Sequence, residues 1–278
     1  MTAFIRLFRR NRLFALGLLI CGLWIVLALL APLIAPYDPL AQDLAARFEP
    51  PGAAHPFGTD SLGRDILSRV LMGARVSITG SLLTIIFAAL AGVIFGGIAG
   101  YAGGVVDEIM MRLSELVQAF PTIILAMVIS AALGPSLFHT LIAMVIVWWP
   151  GFARLMRSAV IQIRGSEYIE ASKSMGASHL RVFFREIIPN SVGSVLVMAT
   201  VDFGNAILLF SGLSFLGLGS PPPAPEWGAM VSDGANYLAY WWLATFPGLG
   251  ILTMSIGANF IGDGMRDYLD PKLRQEKG

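Results

Sequence analysis

The sequence predicts an all-α membrane protein with six transmembrane helices, and three observations carry that prediction. Only 13% of residues are charged while 56% are hydrophobic, and the mean hydropathy is +0.72; a soluble domain carries roughly 25% charged residues. Six stretches approach the about 20 apolar residues needed to cross a hydrocarbon core. The basic residues gather in the segments on one side of those stretches. The net charge of +1 offers nothing to nucleic acid. The one cysteine, Cys21, lies in an apolar run, which excludes an internal disulfide framework and argues against a thiolate metal site. It reads as a small buried hydrophobe.

The first span is expected from Leu13 to Ala35. Its apolar region is long for a cleaved signal peptide, and Pro32 and Pro36 stand where small cleavage-site residues are wanted, so a retained anchor is expected. The others are expected at about 76–101, 117–133, 137–153, 191–218 and 242–262. With the N-terminus in the cytoplasm, Arg6, Arg9, Arg10, Arg12, Arg112, Arg154, Arg157, Arg164, Lys173, Arg181, Arg185, Arg266, Lys272, Arg274 and Lys277 all fall inside. Arg47, Arg64, Arg69 and Arg75 remain outside, mixed with acids. Both termini are therefore expected in the cytoplasm. Ala88, Gly92, Gly96 and Gly100 form a small-residue stripe that lets helices approach closely in lipid, either within this chain or at a subunit interface. No long internal repeat supports an inverted-repeat transporter.

The cytoplasmic segment 164–189 is a polar island between apolar spans. Its spacing predicts a helix opening near Arg164–Ala171 with acids at its positive end. Gly176 turns the corner and Ser178 caps a second helix. On that helix Leu180, Phe183, Phe184, Ile187 and Ile188 fall on neighbouring faces, and Pro189 is expected to end it before the fifth span. By spacing alone this is either an ordinary connector or a working element.

On the other side of the membrane, Thr59 or Asp60 is expected to cap a helix with an apolar stripe of Ile66, Leu67, Val70 and Leu71. Arg64, Asp65 and Arg69 stay polar, as on a helix lying at the outer membrane face. Residues 220–225, rich in proline, read as stiff and extended. Trp227, Tyr237, Tyr240, Trp241 and Trp242 suit an interfacial belt. Asp263, Arg266 and Asp267 read as a local ion-pair cluster. Asp202 is the one acid well inside a span, with Asn205 on nearly the same face. They form either a structural hydrogen-bonded pair or a polar site on a translocation path. The chain thus divides into an N-terminal helix with its outer loop (1–75), a transmembrane core (76–267) and a cytoplasmic tail (268–278).

Four stretches, in order, resemble ABC importer permeases of the peptide/nickel branch, and more closely its C-type subunit. They are Phe57–Asp65, Glu170–Pro189, Leu213–Gly219 followed by Glu226-Trp227-Gly228, and Gly262–Asp267 followed by Leu269-Asp270-Pro271. The second resembles the family's "EAA" loop: Glu170, Ala171, Gly176 and Pro189 fit its frame, with Ala177 after the glycine. Ser172 stands for the second Ala, Glu186 for the usual Ile or His, and Ile188 for Leu. Phe210 stands where the family often has Glu.

The resemblance implies a type I importer permease fold in the bacterial inner membrane. It implies coupling through Glu170, Ala171, Ser172, Gly176, Ala177, Ile188 and Pro189 to two ATPase subunits. A homologous second permease subunit and a periplasmic or lipoprotein solute-binding protein complete the implied assembly in membrane lipid. Asp60, Arg64 and Asp65 are candidates for contact with the binding protein. No cofactor is expected in this chain, which lacks a phosphate-binding GxxxxGK[ST] loop; ATP and Mg would sit in the partner ATPases. The implied substrate is a dipeptide or oligopeptide, possible D-amino-acid dipeptides included, with nickel, glutathione and opines as alternatives. An intramembrane enzyme finds no support in the scattered His55, His139 and His179. A channel or ion-coupled transporter calls for more intramembrane charge than Asp202.

Overall fold

The computed structural model describes residues 11–269, so Arg6, Arg9, Arg10, the Asp270-Pro271 pair and the basic residues of the tail lie outside the described residues. The described elements are α1 (Arg12–Ile34), α2 (Ile66–Ala102), α3 (Gly104–Gln118), α4 (Thr122–Leu133), α5 (Leu137–Arg164), α6 (Glu167–Ser174), α7 (His179–Phe215), α8 (Trp227–Ala235) and α9 (Trp242–Leu269). No strand occurs among the described residues beyond an isolated bridge between Thr59 and Asp65. Five helices are long and apolar enough to cross a membrane, and α3 with α4 makes a sixth if that bent pair counts as one span.

Three expectations about the spans are corrected. The polar segment before the second span is not a separate interfacial helix. It runs without a break into α2, 37 residues in all, or roughly 55 Å. The third span is bent by 87° between α3 and α4. Pro121 lies at that bend, where its missing N–H costs least, just before the first turn of α4. Pro189 does not end a helix either, because α7 passes through it from His179 to Phe215.

The chain forms two compact units. One comprises the described chain up to Leu83, Met127–Ile142 and the described chain from Thr200; the other comprises Thr84–Ala126 and Ala143–Ala199. These units cut across the linear division at residues 75 and 267.

In the first unit α1 lies on α9. Gly17 and Gly257 permit the approach: a methyl on Gly17 would sit 2.6 Å from the Gly257 carbonyl oxygen. Trp24 Nε1 donates to Thr253 Oγ1 at 2.9 Å. A buried cluster gathers Cys21, Ala74, Ile78, Ile207, Trp227 and Met254. Trp227 is wholly buried, with its indole N–H donating to the Val70 carbonyl at 2.9 Å. It is therefore core, and no belt residue. Trp242 is also buried, and donates to the Thr59 carbonyl at 3.1 Å. Trp241, 57% exposed, remains available for an interfacial role.

In the second unit the glycine stripe of α2 meets α5. A methyl on Gly92 would sit 2.3 Å from Phe152 Cβ, and one on Gly96 would sit 2.1 Å from the Ala153 carbonyl oxygen. The stripe thus packs within this chain. A paired Arg157–Asp107 contact ties α5 to α3.

Candidate functional site

The hairpin of α6 and the start of α7 is built as its sequence dictates, with one exception. Glu167 and Glu170 lie in the first turn of α6 and Lys173 in the last, each sign matching the helix dipole. Gly176 has φ +85°, a region costly for residues with a Cβ. Its N–H donates to the Lys173 carbonyl at 2.9 Å, and the Ala177 N–H to the Ser172 carbonyl at 3.2 Å. That pair of bonds is a Schellman corner. Ser178 caps α7, its hydroxyl oxygen accepting from the Arg181 N–H at 3.4 Å.

The exception is Phe183–Ile187, a π turn. Proline has no N–H, and its ring crowds the carbonyl four residues back. A wider turn lets the chain continue where an α turn would clash. The carbonyls around it stay occupied, since the Asn190 side-chain amide donates to the Glu186 carbonyl and the Ser191 hydroxyl to that of Ile187 at 2.8 Å.

This turn divides the apolar residues between two sides. Val182 and Ile187 are fully buried, as is Ile169 of α6, whereas Leu180 and Phe184 are 71% and 62% exposed. Phe183 and Ile188 lie over Gly97 of α2, where an added methyl would meet them at 3.4 and 3.2 Å. The Tyr101 hydroxyl lies 2.9 Å from His179 Nδ1, and Arg164 donates to the Tyr101 carbonyl at 2.8 Å. The hairpin is therefore fastened to the end of α2.

Of the coupling residues expected from sequence, Glu170, Ala171, Gly176 and Pro189 are exposed, while Ser172, Ala177 and Ile188 are half-buried. Met175 at the corner is 82% exposed and Tyr168 49%. The hairpin thus exposes the Glu170 carboxylate and several apolar side chains. Ser172 donates to Glu186 Oε1 at 2.7 Å.

The residues expected at the binding-protein contact are placed differently from expectation. Asp60, Arg64 and Asp65 are 6%, 5% and 2% exposed. Asp60 accepts from the Leu62 and Arg64 N–H groups and from Arg64 Nε at 2.6 Å. Asp65, and neither Thr59 nor Asp60, caps α2, accepting from the Ser68 N–H at 2.8 Å and facing His55 Nδ1 at 2.9 Å. Arg69 is 3% exposed and donates to the Pro39 carbonyl at 3.0 Å. Buried charge needs partners, and this loop supplies them internally. Asp60, Arg64, Asp65 and Arg69 therefore hold the loop's shape, while Asp38, Asp43, Arg47 and Glu49 are its exposed charges.

On α7, Asp202 is half-buried and Asn205 exposed. Phe210 is fully buried against Gly80, so that position is packed core. Sequence reasoning missed Glu226 as a site-building group. It is fully buried, accepts from the Ser77 hydroxyl and the Gly228 N–H, and takes the Ala229 N–H on its other oxygen, all at 2.9 Å. It caps α8, and burial pushes its carboxyl above the usual range despite those donors. The available signal was an acid directly before a helix-forming stretch.

Comparison with known proteins places these features in a family. A family model described as "Binding-protein-dependent transport system inner membrane component" matches residues 92–275, and "N-terminal TM domain of oligopeptide transport permease C" matches residues 2–51. The chain is 43% identical over 251 residues to a protein of Escherichia coli (strain K12) named "Probable D,D-dipeptide transport system permease protein DdpC", covering 90% of this chain and 84% of that one. It is 42% identical over 269 residues to the oligopeptide transport system permease protein OppC of Bacillus subtilis (strain 168), covering 96% and 88%. A solved structure titled "Inward facing conformations of the MetNI methionine ABC transporter: CY5 native crystal form" shares the fold, with a TM-score of 0.60 at 16% identity over 74% of this chain and 98% of that one. The apolar helices, the hairpin and these matches together establish that the chain belongs to the inner membrane components of binding-protein-dependent transport systems, as a C-type permease of the peptide branch.

Proposed function

We propose that this chain is one of two permease subunits of an importer for short peptides, driven by ATP hydrolysed elsewhere. The hairpin carries the reading. Its corner is held by Gly176, and Glu170, Met175 and Leu180 are exposed on the hairpin while Val182 and Ile187 stay buried. A face of that kind suits a groove on an ATPase subunit, with a basic group opposite Glu170. ATP and Mg belong to two such subunits. A second permease completes the path, and a periplasmic or lipoprotein binding protein delivers substrate.

ATP-driven closure of the ATPases moves the hairpins. The spans then exchange an inward-open for an outward-open arrangement, an equilibrium biased by differential binding. The distribution of basic residues supports both termini in the cytoplasm and the hairpin on that side of the bacterial inner membrane. The names of the relatives support a peptide substrate, D,D-dipeptides among them.

The test is coupling in the purified complex. Gly176→Val forces a β-branched residue to a positive φ, at a cost of about 1–2 kcal/mol; Glu170→Lys reverses the exposed charge. Both variants are expected to insert normally and to lose substrate-stimulated ATP hydrolysis. Wild-type stimulation in both would refute the docking assignment.

A further inference from the structure

Building on the reading of this hairpin as the coupling element, we propose that Ser172 and Glu186 are its positioning residues: their hydrogen bond fixes the angle between the two arms, so that the hairpin moves as one rigid piece.

The argument starts from the corner. Four residues, 175–178, separate α6 from α7. The Schellman bonds fix the chain within that corner, but a short linker with a glycine still lets the arms swing. The second arm is held at its tip, where His179 meets the Tyr101 hydroxyl at 2.9 Å. The first arm needs a comparable hold on the second. Ser172, two residues before the end of α6, supplies it by donating to Glu186 Oε1 at 2.7 Å. Both side chains are half-buried, so water competes weakly and the carboxylate strengthens the bond.

The π turn decides where Glu186 points. It lies within Phe183–Ile187, where one more residue per turn shifts the register between the start of α7 and its continuation beyond Ile188. Proline at 189 favours that wide turn. The Asn190 and Ser191 side chains occupy the Glu186 and Ile187 carbonyls, which keeps it formed. Brace and turn are thus one device: the proline sets the register, the register aims the acid, and the acid holds the serine.

The experiment uses the complete complex in lipid nanodiscs, with spin labels at Ser174 and Arg185, exposed positions on the two arms. The native Cys21 is buried and stays unlabelled. A narrow distance distribution is expected for the parent. Ser172→Ala and Glu186→Leu are each expected to broaden it and to lower substrate-stimulated ATP hydrolysis about fivefold. The double variant should be no worse than either single one, as befits partners in one bond. Glu186→Gln keeps an oxygen acceptor for the Ser172 hydroxyl and is expected to restore both readouts.

Unchanged distances in Ser172→Ala and Glu186→Leu would overturn the brace. So would a Glu186→Gln variant as impaired as Glu186→Leu, which would assign the effect to charge. Broadened distances with unaltered hydrolysis would overturn the positioning role. Gly176→Val, measured alongside, separates the two readings: if it abolishes stimulation, only the brace has failed, and if it does not, the coupling reading has failed with it.

Discussion

Replacing Gly96 by alanine adds one carbon at the tightest contact between α2 and α5. That carbon would lie 2.1 Å from the Ala153 carbonyl oxygen and 2.8 Å from its carbonyl carbon. An ordinary carbon–oxygen contact is about 3.3 Å or more, so the helices must part by about 1 Å. Backbone offers no rotamer escape, and Phe152 and Ala153 are fully buried. Overpacking of this kind costs about 1–3 kcal/mol. A gap of 0.5–1 Å forfeits roughly a quarter to a half of each neighbouring dispersion contact, so the upper end applies. Alanine returns about 1 kcal/mol of helix propensity, leaving a net loss of about 2 kcal/mol.

Thermal denaturation in detergent, followed by loss of the monodisperse chromatographic peak, should fall by about 4–8 °C. Gly22→Ala is the control, since an added methyl there meets nothing within 4 Å; its midpoint should stay or rise slightly. If Gly96→Ala denatures at or above the parent temperature, the helices do not meet as closely as described. The stripe would then be free for a subunit interface.

Glu226→Leu leaves the Gly228 and Ala229 N–H groups and the Ser77 hydroxyl without their acceptor and should cost about 3 kcal/mol, with Glu226→Gln milder in the same denaturation assay. Burial raises this carboxyl, so the folded chain holds the proton more tightly than the unfolded one. Its contribution is therefore fully present below the unfolded carboxylate range and is lost as pH rises through the folded value; Glu226→Gln should flatten that dependence. Cysteines at Gln42 and Ala235 should react with an impermeant thiol reagent on intact cells, and one at Ser174 should not; external labelling at Ser174 would reverse the orientation. Asp202→Asn should weaken uptake while the complex still assembles and binds ATP, and a wild-type uptake rate would leave Asp202 a structural role alone.

The parts of the fold legible in the sequence are those governed by local chemistry. Long apolar runs announce spans because lipid tolerates few alternatives. Gly176 and Ser178 announce a corner because left-handed backbone and an open helix N-terminus each demand particular residues. What escaped depends on partners distant in sequence. Arg64 and Arg69 look like surface charge until Asp60 and the Pro39 carbonyl are brought to them. Trp227 looks like a belt residue until the Val70 carbonyl meets its indole. Glutamate is an uncommon cap, so only its place directly before a helix-forming stretch marked Glu226. Pro189 reads as a helix stop because the rule for proline concerns α turns, whereas the chain takes a π turn. The departures Ser172 and Glu186, separate when read along the chain, meet at 2.7 Å.

The pairing of α1 with α9 carries a consequence for biosynthesis. Trp24 and Thr253 are 229 positions apart, so the first helix emerges long before its partner exists. Until α9 arrives, Cys21 and Trp24 can meet only the earlier residues of their cluster, such as Ala74, Ile78 and Trp227, and Gly17 lacks its partner. Lipid is a tolerable substitute for packing but offers the Trp24 indole no acceptor. α1 is therefore only partly seated while the intervening helices assemble, and a nascent chain halted before α9 lacks the partner that Gly17 and the Trp24 indole meet.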